Sequence, residues 1–402
     1  MAATVAHPGL GFGIFGFVVA LCAVTTLALV ALRALRRGAS PLATSICVAF
    51  AGIGLVESFG VRAQVVAWPL IALFLFLLDQ EGPWIWALVP VAAVWSNLHA
   101  SAMLAPVLVG AATFGVALEE RRVNARVGRY VALTAAVAVA ICLNPLGSAL
   151  PHYALTLFSN PIKHYISEWK VTDIGDTSFA FGALPLLLGA LVLGAGARER
   201  RWKDVIVFAA FAYLLLAAAR NIAIFGLEAA PLVAIGLTRV WPQHDQGEAT
   251  PLDRTMDFVL PAFSFVISLV VAVQLIRAIP SDAERGIPSA ALAALDRAGT
   301  HRLFCSDFAW CGLVLPPTGG LPRQRTFLDG RADPFPSDVW KDYVAIVRVT
   351  PAWQQQLDSH HVDAVLVSAG APLGQALALV PGWRTSYRDK NFWLYLRSTR
   401  RS

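Results

Sequence analysis

Residues 10–37 decide the fold, because in LGFGIFGFVVALCAVTTLALVALRALRR an uncharged apolar run is followed by three arginines. The run 10–32 exceeds the ~20 residues that an α-helix needs to cross the hydrocarbon core of a bilayer. Over the whole chain, hydrophobic residues make up 57% and charged residues 14%, and the mean hydropathy is +0.61. Soluble proteins carry roughly 25% charged residues. The sequence therefore predicts a polytopic membrane protein.

Similar apolar runs follow along the chain. They predict an all-α polytopic membrane domain over residues 1–279 with about ten transmembrane helices. The predicted spans are 10–32, 42–59, 64–79, 84–97, 100–118, 130–143, 180–197, 204–219, 222–239 and 257–278. The region 84–118 leaves two alternatives open, namely two short spans broken at residues 97–99 or a re-entrant pair. The long loop 144–179 contains an amphipathic stretch that predicts an interfacial helix.

Basic residues concentrate in alternate loops between the runs. One set of loops carries Arg33, Arg36, Arg37, Arg121, Arg122, Arg126, Arg129, Arg198, Arg200, Arg201, Lys203, Arg239 and Arg254. The opposite set carries only Arg62, Lys163, Lys170, Arg220 and Arg277. The positive-inside rule places the first set in the cytoplasm and the C-terminal segment outside. Because the net charge of +6 is spread over these short loops, it does not indicate nucleic-acid binding.

Polar groups lie where the predicted spans meet the outer surface. They are Glu57 with Arg62, Asn97 with His99, His164 with Glu168, and Arg220 with Asn221. Ionisable groups at membrane depth are costly, so they usually pair with one another or line a functional cavity. Ion pairs Glu57–Arg62 and Glu168–Arg220 that tie helix ends together are one alternative. The convergence of these groups on one face favours the other, a cavity.

The residue types in this cluster suit a lipid that carries a phosphate. Arginine presents a planar fork that binds phosphate through two N–H groups. Glu57 or Glu168 is the candidate catalytic carboxylate, acting as a general base on an acceptor hydroxyl or holding a divalent cation. The identity of any cofactor stays open. The sequence contains no P-loop, nucleophile elbow, Rossmann fingerprint or zinc-type cysteine or histidine spacing.

Residues 280–402 change to a soluble pattern, in which short apolar strands alternate with helices. This alternation predicts a small extracytoplasmic α/β domain. Cys305 and Cys311 leave a disulfide open in an oxidising compartment. Asp329, Arg331 and Asp333 form a compact charged turn, which is either a self-satisfied loop or a lid over the membrane cavity.

Several of these segments carry a family resemblance, in chain order from near the N-terminus to the C-terminal domain. Residues 62–64 (RAQ), 95–101 (WSNLHAS), 166–169 (ISEW), 220–225 (RNIAIF), 306–312 (SDFAWCG) and 329–333 (DGRAD) resemble segments of a group of bacterial membrane proteins. That group is similar to the GT-C-type glycosyltransferases, which use polyprenyl-phosphate sugars. The resemblance implies a GT-C-like membrane domain at the outer face of which a sugar is transferred to a cell-envelope acceptor.

The resemblance also suggests roles for individual residues. It implies that Arg62 and Arg220 hold the donor phosphate, that His99 and Glu168 line the acceptor side, and that Asp329, Arg331 and Asp333 close the site. GT-C enzymes carry a catalytic acid in a first outer loop, and this sequence has no such segment. Either the sequence begins after that loop or the protein is a non-catalytic scaffold or lipid-binding subunit. A transporter, a third alternative, would predict internal repeats, and the sequence shows no convincing repeat.

Overall fold

A computed structural model describes residues 8–56, 63–159, 169–195, 201–240, 288–299, 301–314, 325–330 and 335–398. These residues belong to two compact units. The larger unit lies between residues 15 and 240 and is entirely helical, and the smaller one contains residues 288–398 and a β-sheet. A helical membrane-type region and a small α/β region are therefore both confirmed.

The larger unit consists of ten α-helices, counted within the described residues. They are α1 (Pro8–Arg36), α2 (Pro41–Val56), α3 (Ala67–Leu78), α4 (Leu88–Leu98), α5 (Leu104–Glu120), α6 (Ala125–Ala140), α7 (Ala149–Ser159), α8 (Leu184–Ala195), α9 (Trp202–Ala217) and α10 (Ile222–Val240). Each of the first nine predicted spans corresponds to one of these helices, and α7 lies in the loop for which an interfacial helix was predicted; its position at the membrane surface stays a prediction. The tenth predicted span, 257–278, lies outside the described residues.

Only some of these helices are long enough to cross a bilayer by themselves. Among the described residues, Gly16–Arg36, Ala100–Glu120 and Ala219–Val240 meet that length and hydropathy. Pro41–Leu55, Gln64–Leu78, Pro83–Leu98 and Phe179–Gly194 are apolar but shorter. The total of ten spans stays a prediction.

At two helix crossings the backbones approach each other closely. A Cβ on Gly115 in α5 would lie 2.4 Å from the Cα of Lys203 in α9, and a Cβ on Gly182 would lie 2.5 Å from the backbone nitrogen of Gly54 in α2. Small residues at helix crossings let backbones approach closely where apolar burial alone does not drive association. Glycine is therefore required at both crossings.

One helix begins earlier than its apolar run. The run 130–143 predicts a helix from residue 130, whereas α6 begins at Ala125. The reason is a cap, because the Asn124 side-chain oxygen accepts a hydrogen bond from the Val127 backbone N–H at 3.0 Å. The polar first turn of α6 thus lies outside the apolar run but inside the helix.

The smaller unit contains a five-stranded sheet. Its helices are α11 (Ser289–Ala298), α12 (Phe308–Cys311), α13 (Ser337–Val347), α14 (Trp353–Ser359) and α15 (Pro372–Leu379). Its strands are β1 (Arg302–Cys305), β2 (Arg325–Thr326), β3 (Ala364–Ser368), β4 (Trp383–Arg388) and β5 (Phe392–Arg397), in the order β2-β1-β3-β5-β4. β1 pairs in parallel with β2 and β3, whereas β5 pairs antiparallel with β3 and β4. The predicted alternation of strands and helices is confirmed.

A disulfide links the end of β1 to α12. Cys305 and Cys311 are joined, and both are almost fully buried. Asp307, between them, accepts a hydrogen bond from the Ala309 backbone N–H at 2.9 Å and so begins α12. The disulfide that the sequence left open is therefore present.

Candidate functional site

Five of the eleven predicted site residues can be located in the structure. Asn97, His99, Arg220 and Asn221 belong to the larger unit, and Asp329 belongs to the smaller one. Glu57, Arg62, His164, Glu168, Arg331 and Asp333 lie outside the described residues. The candidate site in the helical unit therefore consists of four of the predicted residues and the groups that hold them.

Two breaks between helices provide the framework. His99 ends α4 in extended backbone conformation and is followed by a short 3-10 turn, Ala100–Met103, before α5. Ala218 ends α9 in the same conformation and is followed by the turn Ala219–Asn221 before α10. Such breaks free backbone groups that need new partners, and at membrane depth they occur where protein or water satisfies them. The predicted break at residues 97–99 is confirmed.

Asparagine side chains satisfy carbonyls at both breaks. The Asn97 amide nitrogen donates to the carbonyls of Ala93 at 2.8 Å and of Leu143 at 2.7 Å. The Asn221 amide nitrogen donates to the Leu214 carbonyl at 2.8 Å. These contacts hold helix ends in place. The substrate-binding role of the two asparagines stays a prediction.

Arg220 contacts two uncharged side chains from distant parts of the sequence. One terminal guanidinium nitrogen donates to the Gln64 side-chain oxygen at 3.1 Å, and the guanidinium carbon lies 4.6 Å from the centre of the Trp169 ring. The Ala219 backbone N–H donates to the Lys170 carbonyl at 2.9 Å, which fixes the loop that carries the tryptophan. Stacking uses the face of the guanidinium, and phosphate binds through its N–H edge. The arrangement orients that edge.

His99 is held in one tautomer. Its Nδ1 accepts from the Ser101 backbone N–H at 3.0 Å and lies 2.7 Å from the Ser101 hydroxyl, which in turn accepts from the Trp95 indole N–H at 3.0 Å. Because Nδ1 is an acceptor, the neutral ring carries its proton on Nε2. No acceptor meets that N–H within the described part of the chain.

The charge state of His99 follows from its surroundings. The residue lies between the two apolar helices rather than inside either. Burial, and then the positive charge of Arg220, lower the pKa of His99 to about 4. The imidazole is therefore neutral near pH 7 and offers one N–H donor close to a guanidinium. That pairing suits recognition of an oxygen-rich anionic group.

Three supporting residues were not among the predicted site residues. Gln64 and Trp169 appeared only as letters within the resembling segments, and Ser101 likewise. Their roles depend on contacts across 156, 51 and 2 positions of sequence respectively. The resembling segments were thus the only sequence signal that could have found them.

Asp329 belongs to the smaller unit. Its side chain is fully buried, and it follows shortly after β2. A Cβ atom placed on the next residue, Gly330, would lie 3.8 Å from the Cα of Ala309. Residues 306–312 and residues 329–330, the described part of the other resembling segment of the smaller unit, therefore meet beside the carboxyl ends of β1 and β2. In open α/β sheets ligands bind outside the carboxyl ends of the strands.

A comparison with solved structures shows a likeness that covers nearly the whole chain. The crystal structure of ArnT from Cupriavidus metallidurans bound to undecaprenyl phosphate is similar at 14% sequence identity and a TM-score of 0.48, over 96% of this chain and 84% of that one. No family model and no curated protein matches the chain. At that identity the likeness transfers no functional residue.

Proposed function

We propose that this protein is an integral membrane glycosyltransferase-like protein that binds a polyprenyl-phosphate-linked sugar where the two helix breaks meet. The observation that carries the proposal is the way in which Arg220 is oriented. Gln64 contacts one end of its guanidinium and the Trp169 ring covers its face. A phosphate that meets the N–H edge would receive a charge-assisted, bidentate pair of hydrogen bonds.

His99 complements Arg220 on the acceptor side. Its Nε2–H is a neutral donor that would hydrogen-bond a phosphate or sugar oxygen without adding a second full charge. The Ser101 and Trp95 contacts keep the ring in this tautomer. Preorganised donors of this kind stabilise developing charge without reorganisation during the reaction.

The transfer itself would break the bond between the anomeric carbon and the phosphate oxygen of the donor. The acceptor hydroxyl oxygen would form the new bond to that carbon, and its proton would pass to a carboxylate, for which Glu57 and Glu168 are the candidates. Arg220, with Arg62, would stabilise the polyprenyl phosphate that leaves. Whether a divalent cation assists stays open, and within the described residues no group of three or more acidic, histidine or cysteine side chains is placed to hold one.

The smaller unit would lie on the outer side of a bacterial inner membrane, and the roles of Asp329, Arg331 and Asp333 stay predictions from the resemblance. The disulfide between Cys305 and Cys311 supports that side, because such bonds persist in oxidising compartments. Labelling of unfolded protein from whole cells with a thiol reagent tests it. We expect both cysteines to react only after reduction, and reaction without reduction would contradict the outer location.

Native mass spectrometry of the full chain in mild detergent, with undecaprenyl phosphate added, tests the binding site. We expect wild type to retain the lipid and Arg220→Gln to lose at least tenfold in affinity, as expected when charge-assisted hydrogen bonds are removed. Arg122→Gln is the matched control, because Arg122 is an exposed arginine of the α5–α6 turn. Equal retention by wild type and Arg220→Gln would refute the phosphate site.

A transferase assay separates the two forms of the proposal. Release of undecaprenyl phosphate from a sugar-loaded donor would support the enzyme. Arg220-dependent binding with no turnover would support the alternative, a non-catalytic lipid-binding or scaffold subunit of an envelope-assembly complex.

A further inference from the structure

A buried ion network lies in the larger unit away from the helix breaks. Arg33 in α1 contacts Asp79 at 2.7 Å and Glu228 of α10 at 2.6 Å, and the side chains of Arg33 and Glu228 are 3% and 0% exposed. Arg37 contacts the same aspartate at 3.5 Å and also pairs with Asp204 of α9. Because Asp79 directly follows α3, the ends of α1, α3 and α9 and the middle of α10 are linked by alternating charges.

A cavity of about 190 Å³ lies beside this network. It is lined by Arg33, Arg36, Arg37, Phe76, Asp79 and Gln80. The lining therefore contains three arginines and one carboxylate. Its volume is several times the roughly 30 Å³ that one water molecule occupies in the liquid, so the cavity has room for a phosphate group.

Arg36 is the arginine of this lining whose charge is not compensated. Arg33 and Arg37 each contact carboxylates, whereas Arg36 is exposed and has no carboxylate partner among the described residues. Arg33 is nearly fully buried, and Asp79 and Glu228 fix its guanidinium. The N–H groups of Arg33 that face these carboxylates are occupied, so Arg33 adds a fixed positive charge to the cavity wall and Arg36 supplies the fork that an anion can contact.

We infer that this cavity binds a phosphate-bearing anion, the headgroup of an anionic phospholipid or free phosphate, at a second site separate from Arg220. Basic pockets between transmembrane helices on the cytoplasmic side bind anionic lipid headgroups, and the arginines here follow the apolar run of α1. The separation is large, because Asp204 and Arg220 are 16 residues apart along α9 and its adjoining turn, or roughly 24 Å at 1.5 Å per residue.

Native mass spectrometry of the full chain with added phosphatidylglycerol, phosphatidylcholine or inorganic phosphate tests the site. We expect wild type to bind phosphatidylglycerol in preference to phosphatidylcholine, and Arg36→Gln to bind it about tenfold more weakly, the loss expected of one charge-assisted interaction. Arg36→Lys should recover part of the loss, because lysine keeps the charge and lacks the fork. Arg122→Gln removes the same charge from an exposed turn and should bind as wild type does.

The outcomes distinguish the source of the phosphate. Arg36-dependent binding of phosphatidylglycerol would support a lipid headgroup, and Arg36-dependent binding of inorganic phosphate alone would support the free anion. If neither probe distinguishes Arg36→Gln from wild type, the inference is overturned. This result is independent of undecaprenyl phosphate binding, for which we expect the loss through Arg220→Gln.

Discussion

The two ends of the helical unit hold their arginines in different ways. At the basic end, defined by Arg33, Arg37, Asp79 and Asp204, each arginine contacts carboxylates within a buried network. At the break end, defined by His99, Ala218 and the turn after it, Arg220 contacts an amide oxygen and an aromatic ring. The same residue type thus belongs to a carboxylate network at one end, and at the other its described contacts include an amide oxygen and an aromatic ring.

The difference indicates which arginines serve stability and which serve binding. Carboxylate partners satisfy the charge of a buried arginine, and removing either member leaves an uncompensated charge. An amide and an aromatic ring hold a guanidinium in a fixed orientation. Variants of Arg33 and its carboxylate partners should therefore change mainly folding stability, whereas variants of Arg220 and Arg36 should change mainly ligand binding.

Arg33→Leu is expected to have the largest effect. It leaves Asp79 and Glu228 without their shared cation in a buried site, and breaking a buried pair costs about 3–5 kcal/mol. We expect a large fall in the melting temperature of the detergent-solubilised protein. Arg33→Leu combined with Asp79→Asn and Glu228→Gln removes all three charges and should recover stability. A wild-type melting temperature in the single variant would contradict a structural role for this end.

Gly115→Ala tests the packing at the same end. Its Cβ would lie 2.4 Å from backbone atoms of α9, so the helices must move apart, and overpacking costs about 1–3 kcal/mol. Gly128→Ala is the control, because no atom lies within 4 Å of its Cβ position. At such a helical site alanine should stabilise by up to about 1 kcal/mol. The paired melting temperatures should move in opposite directions, and equal shifts would contradict the close approach.

His99→Asn tests the break end through pH. The lowered pKa means that, as pH falls from the ordinary value of 6.5 towards about 4, the unfolded chain takes up a proton that the folded chain does not. His99 therefore makes the protein lose stability over that window and adds no pH dependence above it. The introduced asparagine would keep an acceptor for the Ser101 N–H and would not titrate. We expect the wild-type melting temperature to fall more steeply than that of the variant between pH 6.5 and 4, and parallel curves would contradict a buried neutral imidazole.

The contrast also separates what the sequence could predict from what it could not. The apolar runs predicted the helices, and the break at His99 followed from polar residues inside an apolar region. Glu228 was missed, although a lone carboxylate in the run 222–239 already signals a costly charge that needs a partner. Arg33, its partner, is 195 positions away, and such a contact depends on how the helices pack rather than on local pattern.

Of these variants, Arg126→Gln should have the smallest effect on the melting temperature. Arg126 contacts Glu81 at 2.6 Å, Glu120 at 3.0 Å and Glu119 at 3.2 Å, but its side chain is 29% exposed. Water and salt screen an ion pair in such a position, and long side chains lose conformational freedom when they form it. We expect a shift in melting temperature far smaller than that of Arg33→Leu, and one that shrinks further at high salt. An equal shift would mean that the number of ionic contacts, rather than the burial of the arginine, decides stability at the basic end.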